Sequence, residues 1–236
     1  LFLGSTTILM PPMTFLQKPL CWLRAIAKYG ACTSGGPNFA YDHCVQRIAP
    51  EDLADVDLSG WDLAYSGGEA VRPATLDAFA EKFAVCGFQK KAFYPCYGMA
   101  EATCFITGGS KHREPTIYRN HAQSWVSCGE PLLNTELMIV NPETCVPCPE
   151  GTVGEIWVRS DSVGQGYWQQ PQATIDTFQG RSPNSDKAFL RTGDLGFLAG
   201  EELFVTGRRK NLLIIRGQNY YPQDLEETVQ TSHPAL

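Results

Sequence analysis

Two stretches near the C-terminal end combine glycine, a carboxylate and an arginine at a spacing suited to a phosphorylated, hydroxyl-rich ligand. The first is Arg191-Thr-Gly-Asp-Leu-Gly-Phe197, and the second, about ten residues on, is Leu203-Phe-Val-Thr-Gly-Arg-Arg-Lys-Asn211. Asp194 offers paired acceptors for two vicinal hydroxyls, such as those of a ribose. Arg208 offers a fixed fork of donors for a hydroxyl or a phosphate. Gly193 and Gly207 permit φ > 0 or a close approach of backbone to ligand. A third stretch, Tyr97-Gly-Met-Ala-Glu101, has a glycine turn that lets backbone approach a planar ligand, a tyrosine ring to flank it, and a carboxylate, Glu101, able to hold Mg²⁺. Alone, each stretch reads as an ordinary turn or hairpin with steric glycines. Their co-occurrence is much harder to obtain by chance.

The elements that must position these motifs follow from periodicity. Thr6–Met10 reads as a short strand stopped by Pro11-Pro12. Thr14–Tyr29 reads as one helix, with Leu16, Leu20, Leu23 and Ala27 at helical spacing, Thr14 as its cap and Gly30 as its stop. A loop over Thr33–Asp42 leads into a helix near Phe39–Ile48. Leu63–Tyr65 is a strand ending in Ser66-Gly-Gly-Glu69. Pro73–Cys86 is a helix with Leu76, Phe79 and Phe83 on one face, stopped by Gly87, and Ala92–Tyr94 is a strand ending at Tyr97–Glu101. Strand and helix alternate with a polar or glycine-rich loop after each strand, which predicts an α/β parallel sheet. Ligands of such sheets sit beyond the carboxyl ends of the strands, where the loops Ser66–Glu69 and Tyr97–Glu101 fall.

After about residue 108 helical spacing gives way to short β runs, Glu136–Val140, Gly154–Arg159 and Leu203–Thr206, separated by Gly and Pro. Leu203–Thr206 and Leu212–Ile215 read as two apolar strands joined by a tight basic turn. A helix is expected from Pro222, with Asp224, Glu226 and Glu227 in its first turns, favourable to the helix dipole. The expected division is an α/β subdomain over 1–125, a β-rich subdomain over 126–207, and a third unit beginning at 208–236.

A net charge of −6 excludes the basic stripe of a nucleic-acid surface, though a local cluster can still meet a small anion. The nine cysteines are scattered and odd in number, which points to free thiols in a reducing, cytoplasmic compartment. Cys145-Val-Pro-Cys148 has no second pair or suitably spaced histidines for zinc, and Pro147 and Pro149 make it a turn. His43 lies in a predicted helix with no nucleophile motif beside it and reads as structural. No apolar stretch is long enough to cross a bilayer, and no signal-peptide pattern is present. The opening Leu-Phe-Leu-Gly, without an initiator Met, is expected of an internal fragment.

TGDLGF followed by FVTGRRKNLLIIRGQNYYPQDLE resembles the late core motifs of the adenylate-forming superfamily, and YGMAEAT resembles the version found in fatty acyl-AMP ligases. The resemblance runs along nearly the whole chain. It implies a partial large adenylation domain, an α/β sheet subdomain plus a β-rich one, with the start of a small C-terminal domain. It implies that Gly67, Gly68 and Glu69 belong to the adenine loop, that Tyr97, Gly98, Met99 and Ala100 line the nucleotide, and that Glu101 binds magnesium. Asp194 would hold the ribose hydroxyls, Arg208 the ribose or phosphate side, and Val205 would pack near the base. Lys210 matches the hinge of the family, although Asn211 stands where an acidic neighbour is common. Gly35-Gly-Pro-Asn-Phe-Ala-Tyr-Asp42 resembles the segment beside the acyl tunnel, giving Asn38, Phe39 and Ala40 as acyl-pocket residues and leaving Tyr41 open between channel and core. Gly151–Val158 and Gly166-Tyr-Trp168 also match family motifs and read as structural.

The implied chemistry is activation of a fatty acid with ATP and Mg²⁺ to acyl-AMP, followed by transfer to the phosphopantetheine thiol of an acyl carrier protein. An acyl-CoA synthetase using coenzyme A is the alternative, because the stretch Thr103–Val126 is shorter than the insertion such ligases usually carry after this motif. A non-catalytic nucleotide- or acyl-binding remnant is the alternative from another class, opposed by the intact Glu101, Asp194 and Arg208. The family's phosphate loop and C-terminal catalytic lysine have no counterpart between Leu1 and Leu236. The chain by itself is therefore expected not to adenylate, and pyrophosphate exchange by it would refute that.

Overall fold

Aromatic and aliphatic side chains placed by short elements fill the interior of each of two units. The computed structural model describes residues 4–120, 123–183, 185–215, 218–220, 225, 228, 229 and 232. Its contacts divide the chain into a first unit (Leu1–Ser66, Pro73–Tyr94 and Lys111–Glu114) and a second (Gly67–Arg72, Pro95–Ser110 and Pro115–Leu236).

In the first unit the expected helix over Thr14–Tyr29 is two helices, α1 (Pro12–Gln17) and α2 (Leu20–Tyr29). Pro19 breaks it, because proline has no N–H to donate and forces Lys18 out of the helical region. Pro12 opens α1, so Thr14 lies inside it. Gly30 closes α2 at φ +58°, as its position predicts. Thr6–Met10 forms no strand; it has no pairing partner among the described residues. Within the stretch read as a loop, β1 (Thr33–Gly35) pairs parallel with β2 (Leu63–Ser66), with Thr33 opposite Leu63. A side chain at Gly35 would meet the Tyr65 carbonyl oxygen at 2.1 Å, so this position admits only glycine.

Helix α3 (Asn38–Arg47) follows, and α4 (Pro73–Phe83) buries Leu76, Phe79 and Phe83. Lys82 of α4 donates to the carbonyls of Val45 and Ile48, satisfying the C-terminal end of α3. A single 3₁₀ turn and then Gly87, at φ +83°, end α4. Tyr41 is fully buried at the centre of an aromatic cluster, 5.0 Å edge-on to Phe79, with its hydroxyl donating to the Tyr65 carbonyl at 2.7 Å. The choice for Tyr41 is therefore core.

The chain enters the second unit within β3 (Phe93–Tyr97). There Cys96 and Tyr97 pair antiparallel with β4 (Thr107–Gly108), and β4 pairs antiparallel with β7 (Glu130–Pro131). Between them β5 (Ile117–Arg119) and β6 (Ser124–Val126) form a hairpin. The main sheet has the order β11-β10-β9-β8, all antiparallel, from β8 (Glu136–Val140), β9 (Gly154–Arg159), β10 (Leu190–Ala199) and β11 (Glu202–Arg208). β9 is central and buried from Gly154 to Val158.

Helix α5 (Pro171–Phe178) lies between β9 and β10 in sequence, where no helix was expected. None of its residues is buried, and its eight residues make barely two turns, too short a run for helical spacing to stand out. The expected hairpin of Leu203–Thr206 with Leu212–Ile215 does not form. β11 pairs with β10 through a two-residue turn, Gly200-Glu201, with Gly200 at φ +61°. β12 (Leu213–Ile215) pairs with β13 (Gln218–Tyr220). The expected helix at Pro222, with Asp224, Glu226 and Glu227, lies outside the described residues. No helix among the described residues is long and apolar enough to cross a membrane.

Candidate nucleotide site

The Thr-Gly-Asp motif is a bulge. Along β9 the partners of β10 step from Arg191 opposite Trp157 directly to Leu195 opposite Glu155, so Thr192, Gly193 and Asp194 together face only Ile156. The backbone can loop out because Gly193 adopts φ +70°. On the other side of β10 pairing with β11 begins at Asp194, which stands opposite Arg208, and that ladder has its own irregularity between Leu195 and Gly196. The bulge lifts the Asp194 carboxylate to the edge of a cleft of about 850 Å³ whose lining includes Gly98, Glu101, Arg191, Gly193 and Arg208, all within the second unit.

Asp194 is 5% exposed and held from both sides. Tyr97 donates its hydroxyl to Oδ2 at 2.8 Å, and Arg208 donates Nε to Oδ1 at 2.8 Å. Burial raises the Asp194 pKa, and the bonds from Tyr97 and Arg208 oppose this without overcoming it. Tyr97, 8% exposed, is pushed well above the ordinary phenol value, first by burial and then by the Asp194 charge, so it remains a donor. Its ring belongs to a core cluster with Ala102, Ile106 and Val205. Val205 is thus a core residue one layer behind the motif. Arg208, whose side chain is 63% exposed, is free to turn toward a ligand.

The Tyr97–Glu101 turn is as tight as its glycine predicts. A side chain at Gly98 would meet the Cys104 carbonyl oxygen at 1.7 Å. Glu101 lies in the short 3₁₀ turn Ala100–Ala102, and its Oε1 accepts the Tyr167 hydroxyl at 2.6 Å. That bond raises the Tyr167 pKa. Tyr167 is anchored in turn: its N–H donates to Thr174 Oγ1 at 2.9 Å, and Thr174 crowds Gly166 so closely that a Cβ there would sit 2.3 Å away. Gly166-Tyr-Trp168, read from sequence as packing, thus delivers a side chain to the site. Only its aromatic-after-glycine pattern could have signalled this.

Among the described residues no cluster of three His, Cys, Asp or Glu surrounds a metal-sized site, and the pair Cys145/Cys148 sits in a turn as free thiols. All nine cysteines are free. Burial pushes Cys44 and Cys128 up to about 12 and Cys96 to about 11, leaving them inert. His43 Nε2 donates to the Leu16 carbonyl, 3.0 Å away, in a structural contact.

The remaining expected residues are dispersed. Gly67 lies against the Cys96 carbonyl, which a Cβ would approach to 2.7 Å; Gly68 has φ +87°, and Glu69 is exposed. None of the three lines the cleft. Met99, Ala100 and Lys210 do line it, with Lys210 in a 3₁₀ turn between β11 and β12. Asn38 and Ala40 are buried in the first unit at the start of α3, and Phe39 beside them is 50% exposed.

A buried carboxylate is thus paired with an arginine beside a strand bulge, and that arginine and a second carboxylate, Glu101, line one cleft. The chain belongs to the AMP-binding enzyme family, whose profile matches residues 1–168. It is 39% identical to the medium-chain-fatty-acid–[acyl-carrier-protein] ligase TtuA of Teredinibacter turnerae, covering 100% of this chain and 41% of that protein. It is 41% identical to the ligase of the same description, JamA, of Moorena producens, covering 100% of this chain and 43% of that one. Its fold matches a fatty acyl-adenylate ligase from L. pneumophila, solved with acyl adenylate and pyrophosphate, with a TM-score of 0.84 and 45% identity over 98% of this chain and 44% of that one. The chain therefore spans about two-fifths of the length of the curated relatives it matches.

Proposed function

We propose that the whole protein activates a fatty acid with ATP and passes the acyl group to the phosphopantetheine thiol of an acyl carrier protein. A carboxylate oxygen of the fatty acid attacks the α-phosphorus, and pyrophosphate leaves with the electron pair of the broken P–O bond. The thiol sulfur then attacks the acyl carbonyl, AMP leaves, and the thiol proton passes to solvent. The work is mainly positioning and charge neutralisation. The observation that carries this reading is the Asp194 carboxylate, fixed by Tyr97 and Arg208 at the cleft edge.

In this reading Asp194 accepts from the ribose hydroxyls, Arg208 turns to the ribose or phosphate side, and Val205 supports the base from the core. The loop Gly67–Glu69 and the turn Tyr97–Ala100 receive the adenine and ribose, and Asn38, Phe39 and Ala40 border the acyl chain. Lys210 is the hinge on which a C-terminal domain turns. The division into 1–125, 126–207 and 208–236 is kept as the proposed subdomain plan. The nine free thiols fit a reducing compartment, and cytoplasm is the proposed location.

Glu101 fits magnesium. Mg²⁺ takes oxygen ligands and is commonly bound by one or two carboxylates plus substrate phosphates. Glu101 supplies one such carboxylate, with Oε1 engaged by Tyr167 and Oε2 unbonded among the described residues. When bound, the ion would neutralise charge on the phosphates. Coenzyme A as acceptor is the second reading, favoured by the short Thr103–Val126 stretch, which the two-residue β4 and the β5–β6 hairpin occupy.

Calorimetric titration of the whole protein with AMP tests the site. Asp194→Asn removes charge-assisted hydrogen bonds worth about 1.5–3 kcal/mol, predicting roughly 10- to 150-fold weaker binding. Unchanged affinity would sink the ribose assignment.

A further inference from the structure

The bulge that aims Asp194 has lost its ladder bonds to β9, yet its polar groups are tied by side chains. Glu155, on β9 beside the bulge, is 3% exposed. Its Oε1 accepts the Gly193 N–H at 3.2 Å and its Oε2 accepts Arg191 Nη2 at 2.9 Å. The Arg191 guanidinium lies over the Trp157 ring, 5.4 Å from its centroid. Thr192 Oγ1 donates to the Ile156 carbonyl at 2.7 Å and accepts the Asp194 N–H at 3.0 Å.

A carboxylate buried in a central strand is costly unless paired and hydrogen-bonded, and an apolar residue would serve a plain sheet as well or better. Here both of its bonds go to the two residues that flank Thr192 in the bulge. The side chains thus take over the bonding that the backbone gave up, and they fix the one segment whose direction sets the Asp194 carboxylate.

We propose that Glu155 and Arg191 form a strut that positions Asp194 for two vicinal hydroxyls, and so sets the preference for ribose over deoxyribose. In this proposal the strut acts through Asp194, although Glu155 and Arg191 also border the cleft. This inference rests on the ribose reading of Asp194 above. The cationic groups that line the cleft, Arg208, Arg209 and Lys210, are left in place, so loosening the strut removes hydroxyl discrimination more than it removes general nucleotide affinity.

The test is the ratio of affinities for AMP and 2′-deoxy-AMP in the whole protein, measured with melting curves on the same samples. Glu155→Gln keeps the volume and the acceptor for Gly193 but loses the charge paired with Arg191. It is expected to lower the ratio about tenfold. Thr192→Val, which frees the Asp194 N–H, is expected to lower it in the same sense and decides the matter if Glu155→Gln does not fold. Equal loss of affinity for both nucleotides, in step with a lower melting temperature, would overturn the strut and leave a purely structural pair. An unchanged ratio in both variants overturns it too. Asp194→Asn is the control: if it leaves the ratio intact, the ribose reading fails, whereas a collapsed ratio there with an intact ratio in the strut variants removes only the strut.

Discussion

Replacing Tyr97 by phenylalanine isolates one atom of the site. The ring stays in its core cluster, while the hydroxyl that donates to Asp194 Oδ2 at 2.8 Å is lost. The Asp194 side chain is only 7% exposed, so water does not replace the donor. A hydrogen bond to a charged, buried acceptor contributes about 1.5–3 kcal/mol, and that is the destabilisation predicted near neutral pH. The loss should depend on pH, with a sign fixed by linkage. Burial raises the folded-state pKa of Asp194 above its unfolded value. The native state therefore binds more protons between those two values, and the contribution of Asp194 to stability falls as pH rises through that window. The Tyr97 hydroxyl lowers this pKa, so Tyr97→Phe raises it further. The penalty of the variant is then full when Asp194 is ionised and shrinks as pH drops below the folded value. Urea unfolding of both forms, followed by tryptophan fluorescence at several pH values between about 4 and 7, measures it. A difference below about 0.5 kcal/mol near neutrality, or one that stays constant across the range, would refute the reasoning.

Glu101→Gln removes the carboxylate whose hydrogen bond and charge raise the Tyr167 phenol. Tyr167 should then titrate closer to the ordinary tyrosine value in an ultraviolet absorbance titration, and an unmoved transition would contradict the contact. Gly98→Ala should abolish folding or destabilise by several kcal/mol, since its Cβ falls 1.7 Å from a carbonyl oxygen. Gly200→Ala, at φ +61° with open space around it, should lose only about 1 kcal/mol in the same denaturation assay. Phe79→Ala, emptying the centre of the first unit, should lose about 3–5 kcal/mol.

Two helices of the alternating half of the chain, α2 and α4, were legible where glycine announced their ends. Gly30 and Gly87 stop α2 and α4 where glycine demands, and Leu76, Phe79 and Phe83 mark the buried face of α4. The motif residues were also legible one by one: Glu101 and Arg208 line one cleft, and Asp194 is bonded to Arg208 at its edge. What stayed hidden depended on long-range pairing. β10 was not read as a strand because the Thr192–Asp194 bulge breaks its alternation, and the partner of β11 was mistaken for that reason. Helix α5 escaped because its eight residues span barely two turns. Glu155 and Tyr167 looked like packing because their meaning lies in contacts to Arg191 and Gly193 and to Glu101, at separations of about 36 to 66 residues. Pro19 was visible in the sequence, and its power to split a helix was underweighted against an unbroken apolar spacing.

The most direct measurement is the formation of acyl-AMP by the whole protein given ATP, magnesium and fatty acids of graded length, with coenzyme A and a holo acyl carrier protein then offered separately. The account predicts an acyl-AMP for some chain length, accumulating with coenzyme A and discharging onto the carrier protein. Rapid acyl-CoA formation would contradict the carrier-protein acceptor, and no adenylate at any chain length would contradict the fatty-acid assignment itself.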